Sequence, residues 1–272
     1  RRSESSRSAS THSSSIDDEI GHYYGEIGDL IDQRYEIVEL LGKGTFGKVF
    51  KCRDQKYNDS VALKVVRNIS KYIDSAKIEA DILKNIFTQQ EKSQRNHCVK
   101  MFSSFHYEGY YVMVFERLGL SLYDLIKKND YKRFPMHVVK EVTRQLLQGI
   151  DFLQSINLIH TDLKLENILF VHNTLVTETV RQRDHSYEVF VPRNTRIKII
   201  DFGGATYDDD EDKAGVINTR QYRGPEVTLE LGWSFPSDIW SVACIIAEMY
   251  CGDLLFQTHE ELEHLALMEK LC

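Results

Sequence analysis

The sequence predicts an α+β chain from its strand-like and its helical segments, and a third observation marks a candidate functional site. Apolar runs typical of strands include Ser60–Val66 and Tyr110–Glu116, and helical periodicity marks Ala76–Ile86 and Met136–Ser155. The third observation is a polar loop enclosed by two short apolar segments, LIHTDLKLENILF at Leu158–Phe170. Because loops held by a rigid scaffold often carry catalytic side chains, this stretch is the first candidate for a functional site.

Composition narrows the class of protein. The 272 residues are 42% hydrophobic, which is enough for a sizeable core in one large or two small domains. Apolar runs are too short to cross a membrane and the first residues are polar, so we expect a soluble, intracellular protein. Five cysteines without a C-x-x-C pair predict neither disulfides nor a zinc site. The net charge of −7 disfavours direct nucleic-acid binding and suits a basic partner.

Residues 1–18 are predicted to be a disordered tail rich in serine and arginine, because they contain too few apolar side chains to offset the entropy lost on ordering. An alternative role for its Arg-Arg-Ser and Ser-Arg-Ser sequences is as phosphorylation sites. Residues 19–34 are predicted to be an extension that precedes the folded domain.

A glycine-rich loop joins the first two predicted strands. Residues 42–49, GKGTFGKV, fit the pattern G-x-G-x-x-G-x-V, in which glycines let backbone N–H groups approach phosphate oxygens. A dinucleotide-binding fingerprint is the alternative, but that pattern requires the loop to open a helix. Since this loop joins two strands, a phosphate-binding hairpin is favoured.

A single lysine interrupts the apolar strand SVALKVV, at Lys64. A buried lysine needs a charged partner, or desolvation drives it toward its neutral form. We predict Glu79 as that partner, on an amphipathic helix whose apolar positions are Ile78, Ile82, Leu83 and Ile86. The alternative is an exposed glutamate on a helix.

Further strands and helices follow along the chain. A strand at Tyr110–Glu116 precedes a helix from Ser121, and Met136–Ser155 forms a long amphipathic helix. Alternating residues predict an inserted hairpin at about residues 171–196. Beyond Pro236, a nearly all-apolar segment that ends at Cys251 predicts a core helix.

Asp201-Phe202-Gly203 follows the apolar strand IKII. Asp162, Asn167 and Asp201 together suit a base for a hydroxyl and two oxygen ligands for Mg²⁺. The acidic run at residues 208–212 is typical of a solvated loop, and the alternative is that it steers arginine-rich substrates.

These motifs occur in the order and spacing found in protein kinases, which the chain resembles. The final segment, EHLALMEKLC, resembles the EHLAMMER signature of the LAMMER kinases, also called CDC-like dual-specificity kinases. Supporting features are HTD at His160–Asp162, the inserted hairpin, NTRQYRGPE, LGWSFPSDIWS and GHYYGEIGD. The resemblance covers Gly21–Cys272.

The resemblance implies a bilobal kinase fold. Its N-lobe and hinge are expected at residues 35–118, with a five-stranded antiparallel sheet and helix C. A mainly helical C-lobe is expected at residues 119–272. Since domains of this family continue for several helices past the LAMMER segment, we expect a C-terminally truncated C-lobe that lacks its last helices.

The resemblance also implies a role for each site residue, with ATP and Mg²⁺ bound. Asp162 accepts the substrate proton, Lys164 stabilises the transferring phosphate, and Thr219 ties the activation segment to both. Asn167 and Asp201 hold the metal. Lys64 contacts the α- and β-phosphates and Phe115 is the gatekeeper. The expected nucleotide-binding residues are Gly42, Lys43, Gly44, Thr45, Phe46, Gly47, Val49, Ala62, Lys64, Glu79, Phe115, Glu116, Leu118 and Leu169.

Thr161 replaces an arginine that normally binds an activation-loop phosphate, so we predict activity without loop phosphorylation. The sequence departs from the family at Leu165, Gly224, Leu267 and Lys270, away from the groups expected to touch ATP. The resemblance implies substrates that are arginine/serine-rich splicing factors, autophosphorylation that includes tyrosine, and a location in the nucleus, with the cytoplasm as a second compartment. The alternatives are a non-catalytic kinase-fold interaction protein and a small-molecule kinase. The sequence leaves the oligomeric state open.

Overall fold

A computed structural model describes residues 20–93, 97–181 and 186–272. The predicted disordered tail, with its proposed phosphorylation sites, lies outside the described residues. The chain forms two compact units: the first extends to Asp81 and includes Lys100–Arg117, and the second comprises Ile82–Val99 and Leu118–Cys272. None of the helices in the described ranges is both long and apolar enough to cross a membrane.

The first unit is built on one antiparallel sheet of six strands, in the order β1-β2-β3-β4-β6-β5. The strands are β1 Leu30–Ile31, β2 Tyr35–Gly44, β3 Gly47–Asp54, β4 Asp59–Val66, β5 Met101–Tyr107 and β6 Tyr110–Glu116. Burial alternates along β4, where Val61, Leu63 and Val65 face the core.

The predicted count of five strands is wrong, because the sheet also contains the short edge strand β1. Asp32 and Gln33 adopt left-handed backbone conformations (φ 53° and 51°) and turn the chain so that Ile31 pairs with Tyr35. Ile31 is fully buried, which stabilises this turn by about 1.5–3 kcal/mol. A two-residue strand is too short to show an alternating pattern, so it cannot be predicted from periodicity.

Helix α1, Ser70–Ser93, buries Ala76, Glu79, Ala80, Leu83 and Ile86. The assignment of Ile78 to its buried face is wrong, because Ile78 is 64% exposed. Glu79 occupies the buried face instead, which places a carboxylate among apolar neighbours.

The second unit is mainly helical. Its helices are α2 Leu122–Lys128, α3 Met136–Ser155, α4 Pro225–Thr228, α5 Pro236–Cys251 and α6 Glu261–Leu271. Short strands pair between them: β7 Leu158–Ile159 with β12 Thr206–Tyr207, and β8 Ile168–Phe170 with β11 Ile197–Ile199. Ser121 is the N-cap of helix α2 and forms a capping box with Asp124.

Strands β9 Leu175–Arg181 and β10 Ser186–Pro192 pair antiparallel where the sequence predicts an inserted hairpin. Asn129 holds this hairpin by two hydrogen bonds to the backbone of Phe190, donating to its carbonyl (2.9 Å) and accepting from its N–H (2.7 Å). The buried amide side chain of Asn129 thus makes the two backbone hydrogen bonds that a residue of a neighbouring strand would make.

Helix α5 is less apolar on its buried side than its sequence indicates. Asp238, Ser241 and Glu248 are buried, whereas Ile239 is 46% exposed and Tyr250 is 47% exposed. Buried polar groups require hydrogen-bond partners, so this inward polar face indicates a role in holding other segments.

Candidate active site

In the first unit, the glycine-rich loop is the turn between β2 and β3. Gly44 pairs with Gly47, so Thr45 and Phe46 form a two-residue turn. A Cβ atom added to Gly42 or Gly44 would meet no atom within 4 Å. The two glycines therefore leave open space beside exposed backbone, as a phosphate-binding loop needs. Lys43 is an exposed residue between them.

One face of the sheet carries four of the predicted nucleotide-binding residues. Val49 pairs with Lys64 and Ala62 pairs with Phe115, so all four side chains point to the same side of the sheet. Each is partly exposed, whereas the alternate residues of β4 are buried. Glu116 at the end of β6 exchanges backbone and side-chain hydrogen bonds with Lys100 (3.0 and 2.7 Å).

The ammonium group of Lys64 binds both carboxylate oxygens of Glu79, at 2.9 and 2.7 Å. The Glu79 side chain is 5% exposed and that of Lys64 is 18% exposed. Removing either partner would leave the other as a poorly solvated charge, which costs about 3–5 kcal/mol for a buried pair. The predicted partner of Lys64 is therefore in contact with it, and the ion pair fixes the direction of the lysine side chain.

In the second unit, Asp162 is the centre of a polar cluster. Its Oδ1 accepts hydrogen bonds from the backbone N–H (3.0 Å) and hydroxyl (2.7 Å) of Thr219. Lys164 donates to Asp162 Oδ2 (2.6 Å) and to the Thr219 hydroxyl oxygen (3.0 Å). The structure thus brings all three predicted catalytic residues together, with a carboxylate and an ammonium group in contact.

Asn167 and Asp201, the predicted metal ligands, lie at the adjoining ends of β8 and β11. The backbone N–H of Ile200 donates to the carbonyl of Asn167 (2.9 Å), which places Asp201 next along the chain. Asn167 donates its amide N–H to the carbonyl of Asp162 (2.8 Å), which directs its side-chain oxygen away from that loop. Asp201 is exposed and has a left-handed backbone conformation, φ 64°. Such a conformation is uncommon for a residue other than glycine and often occurs at functional sites.

This pair of ligands fits Mg²⁺ shared with a nucleotide. Within the described ranges, no group of three His, Cys, Asp or Glu side chains could hold a metal by itself. Mg²⁺ commonly binds one or two protein oxygens together with substrate phosphates and water. The carboxylate of Asp201 and the amide oxygen of Asn167 are hard oxygen ligands of the kind that such a site uses.

The second unit also contains the last two predicted nucleotide-binding residues and Thr161. Leu118 is buried in the second unit, and Leu169 forms an isolated bridge with Ser121 while it pairs with Lys198. Thr161, with φ 70°, donates its hydroxyl to the carbonyl of Gly204 (2.8 Å). A neutral hydrogen bond thus occupies the position where the resemblance leads one to expect an arginine.

The most important residue that the sequence did not reveal is Asp238 on α5. Its carboxylate accepts the backbone N–H of His160 (2.8 Å) and that of Thr161 (3.0 Å). Burial raises its pKa, while the interaction with His160 and the two hydrogen bonds act in the opposite direction. Asp238 therefore fixes the backbone that immediately precedes Asp162.

His160 fixes the same loop from the other side. The N–H of Asp162 donates to His160 Nδ1 (3.2 Å), so Nδ1 is unprotonated and Nε2–H donates to the carbonyl of Ile200 (2.9 Å). This assignment of the tautomer follows from the hydrogen-bond network. The imidazole thereby links the loop of Asp162 to the strand that precedes Asp201.

The segment after Thr219 is held by further buried groups. The Tyr222 hydroxyl donates to Glu248 (2.6 Å), and burial, the largest cause, raises the pKa of Glu248 to about 7. His264, in the LAMMER-like segment, contacts the carbonyl of Arg223 through Nε2 (3.0 Å). Burial lowers the pKa of His264, which favours its neutral form. The sequence signal for the first of these contacts is Glu248, a charged residue within the apolar helix α5.

Comparisons with known proteins agree with this geometry. The family model described as "Protein kinase domain" matches residues 35–271. The chain is 45% identical to the serine/threonine-protein kinase AFC2 of Arabidopsis thaliana, covering 94% of this chain and 60% of that protein. It is 44% identical to the human dual specificity protein kinase CLK2, covering 94% and 50%. The chain thus spans about half the length of such curated relatives.

A solved structure also matches the fold. One crystal structure of a kinase domain superimposes with a TM-score of 0.85 at 41% sequence identity, covering 92% of this chain and 73% of that one. The predicted fold class is confirmed by this likeness and by the family model.

Proposed function

We infer the function from one premise: this chain belongs to the protein kinase family, and within that family to the LAMMER, or CDC-like, group. We propose that it transfers the γ-phosphoryl group of ATP to serine and threonine hydroxyls, and to tyrosine by autophosphorylation. The observation that carries the proposal is the contact of Asp162 with both Lys164 and Thr219.

The described contacts support a division of roles. As the new O–P bond forms and the bond to ADP breaks, the proton of the attacking hydroxyl passes to Asp162. The ammonium group of Lys164 offsets negative charge beside that carboxylate. Asn167 and Asp201 would hold Mg²⁺, which neutralises phosphate charge when bound. Lys64, directed by Glu79, and the open glycine-rich loop would hold the other phosphates.

For the substrate we propose arginine/serine-rich splicing factors, and for the location the nucleus. Charge supports the substrate class: the net charge is −7, and Asp209–Asp212 are exposed on the segment that follows Asp201. Asp208 is paired with Lys213 (2.7 Å), so the steering charge would come from the four acidic residues after it.

We also propose that activity requires no phosphorylation of the activation segment. Thr161 donates a neutral hydrogen bond to Gly204, and Asn157 donates to Asp209 (2.8 Å). These hydrogen bonds hold the activation segment without a phosphate group. A phosphate added beside the acidic run would be repelled by its negative charge.

The test is transfer of radiolabelled phosphate from ATP to an arginine/serine repeat peptide, with a lysine/serine repeat for comparison. We expect transfer that prefers arginine and is lost in Asp162→Asn, since the amide cannot accept the proton. A matched control is Asp151→Asn, which alters an exposed carboxylate on α3. Failure of the folded wild-type protein to label any protein substrate would contradict the proposal and favour a non-catalytic interaction protein.

A further inference from the structure

A segment ahead of the matched kinase region packs onto the first unit. We call residues Ile20–Gly25 the strap; they precede residue 35, where the family match begins. Tyr23 is 8% exposed, with its ring edge-on to Phe50 and Tyr110 at centroid distances of 6.1 and 5.2 Å. The carbonyl of Gly21 accepts the N–H of Asn68 (2.7 Å). The strap is therefore anchored at Gly21 by a hydrogen bond and at Tyr23 by packing.

Arg67, just after β4, joins the strap to the glycine-rich loop. Its Nε and one terminal nitrogen donate to the carbonyl of Ile20 (2.8 and 2.6 Å), and the other terminal nitrogen donates to the carbonyl of Thr45 (3.2 Å). Its backbone N–H donates to the carbonyl of Phe46 (3.0 Å). Arg67 is 7% exposed, and a buried guanidinium is tolerated only when such hydrogen bonds are made.

The same side of the loop is fastened by packing. The Phe46 ring lies edge-on to the Tyr72 ring (5.4 Å, 85°). The Arg67 guanidinium carbon lies 5.4 Å from the centroid of the Tyr72 ring. A Cβ atom on Gly47, whose φ is +156°, would lie 2.2 Å from the carbonyl oxygen of Val65. One side of the loop is thus in close contact with the end of β4, while Gly42 and Gly44 face open space.

We propose that Arg67 is a positioning residue for the glycine-rich loop, and that the strap serves nucleotide binding by fixing Arg67. The inference rests on the proposed function, in which this loop binds ATP phosphates. The Arg67 side chain holds the carbonyl of Thr45, and its backbone N–H holds that of Phe46. Together they set the orientation of the two peptide groups of the turn, and so the direction of the N–H groups of these peptides. A loop held in its binding conformation before the ligand arrives loses less entropy on binding, so affinity rises without a direct contact.

The test uses the full chain with two variants and one matched control. Arg67→Met removes the side-chain hydrogen bonds and keeps an apolar stem. Gly21→Ala disturbs the strap and leaves the Arg67 side chain in place, because φ is +76° at Gly21 and an added Cβ lies 3.1 Å from Ile69. The control Arg34→Met also breaks a bidentate arginine contact, to Asp54 at 2.8 and 2.6 Å, at the opposite end of the β2–β3 pair.

Two readouts are measured: the Kd for ATP by calorimetry, and amide hydrogen exchange of residues 42–49 without nucleotide. We expect Arg67→Met to raise the Kd about five- to tenfold and to speed exchange by a similar factor, from the loss of charge-assisted hydrogen bonds. Gly21→Ala should raise the Kd roughly two- to threefold, and Arg34→Met should leave both values within about twofold of wild type.

Unchanged Kd and exchange in a folded Arg67→Met protein would overturn the inference, as would equal changes in Arg34→Met. The exchange measurement requires no ATP, which separates the two proposals. If wild-type protein binds no ATP, the proposed function fails, and the exchange rates of the loop alone decide whether Arg67 positions it.

Discussion

Replacing Asp238 by asparagine tests whether the loop of Asp162 depends on a carboxylate buried in α5. Asp238 accepts two backbone N–H groups, from His160 and Thr161, and is 2% exposed. Asparagine keeps one acceptor oxygen and places an N–H group where the other oxygen was. One buried backbone donor then loses its acceptor.

The expected cost follows from that single lost acceptor. A buried donor left without a partner costs about 1–3 kcal/mol, and the facing amide N–H adds repulsion. We therefore expect Asp238→Asn to lower the free energy of unfolding by about 2–3 kcal/mol, a large share of the roughly 5–15 kcal/mol typical of a domain. Because the loop loses its fixed position, kcat should fall while the Kd for ATP changes little.

Urea denaturation and phosphate transfer measure the two effects. The control is Asp151→Asn, an exposed carboxylate whose loss should change stability by no more than about 1 kcal/mol, the upper value for an exposed ion pair. If Asp238→Asn unfolds at the same urea concentration as this control and keeps its kcat, then Asp238 does not hold the loop and the reasoning fails.

Two further predictions concern the activation segment and Glu248. Phosphatase treatment should leave phosphate transfer unchanged, because the contacts of Thr161 use no phosphate; a loss of turnover with no other phosphosite to explain it would count against the proposal. Burial raises the pKa of Glu248 from 4.5 to about 7, so the folded protein holds this proton more tightly than the unfolded chain. The resulting stability is fully present below pH 4.5 and is lost as pH rises through about 7. Relative to Glu248→Gln, wild-type protein should therefore lose roughly 3 kcal/mol of unfolding free energy over that range, and a difference independent of pH in urea titrations would contradict this.

The sequence predicts a contact most directly where a charged residue interrupts an otherwise apolar helix or strand. Lys64 interrupts an apolar strand, and that conflict alone requires a carboxylate nearby; the structure supplies Glu79 at 2.7 Å. The predicted buried face of the helix that carries Glu79 is partly wrong, since Ile78 is exposed. Apolar residues at helical spacing do not show which of two neighbouring helix faces is buried when one of the buried residues is a carboxylate.

The cluster around Asp162 was predicted by resemblance and not from the residues alone. Thr219 lies 57 positions after Asp162, and nothing local indicates that its hydroxyl reaches that carboxylate. Asp238 shows the limit more sharply. Its segment, SFPSDIWS, predicts the start of a core helix and resembles a family signature, but neither indicates this contact, because a partner 78 residues away is set by tertiary packing.

The polar face of α5 explains how these distant contacts belong together. Asp238 binds the backbone before Asp162, Ser241 donates to the carbonyl of Tyr222 (2.7 Å), and Glu248 accepts the Tyr222 hydroxyl. One helix thus contacts both the catalytic loop and the segment that follows Thr219. Since a helix is rigid over its length, it fixes the spacing between these two segments, whereas flexible loops alone could not. The buried polar residues of α5 should therefore control catalysis although none of them belongs to the predicted catalytic set.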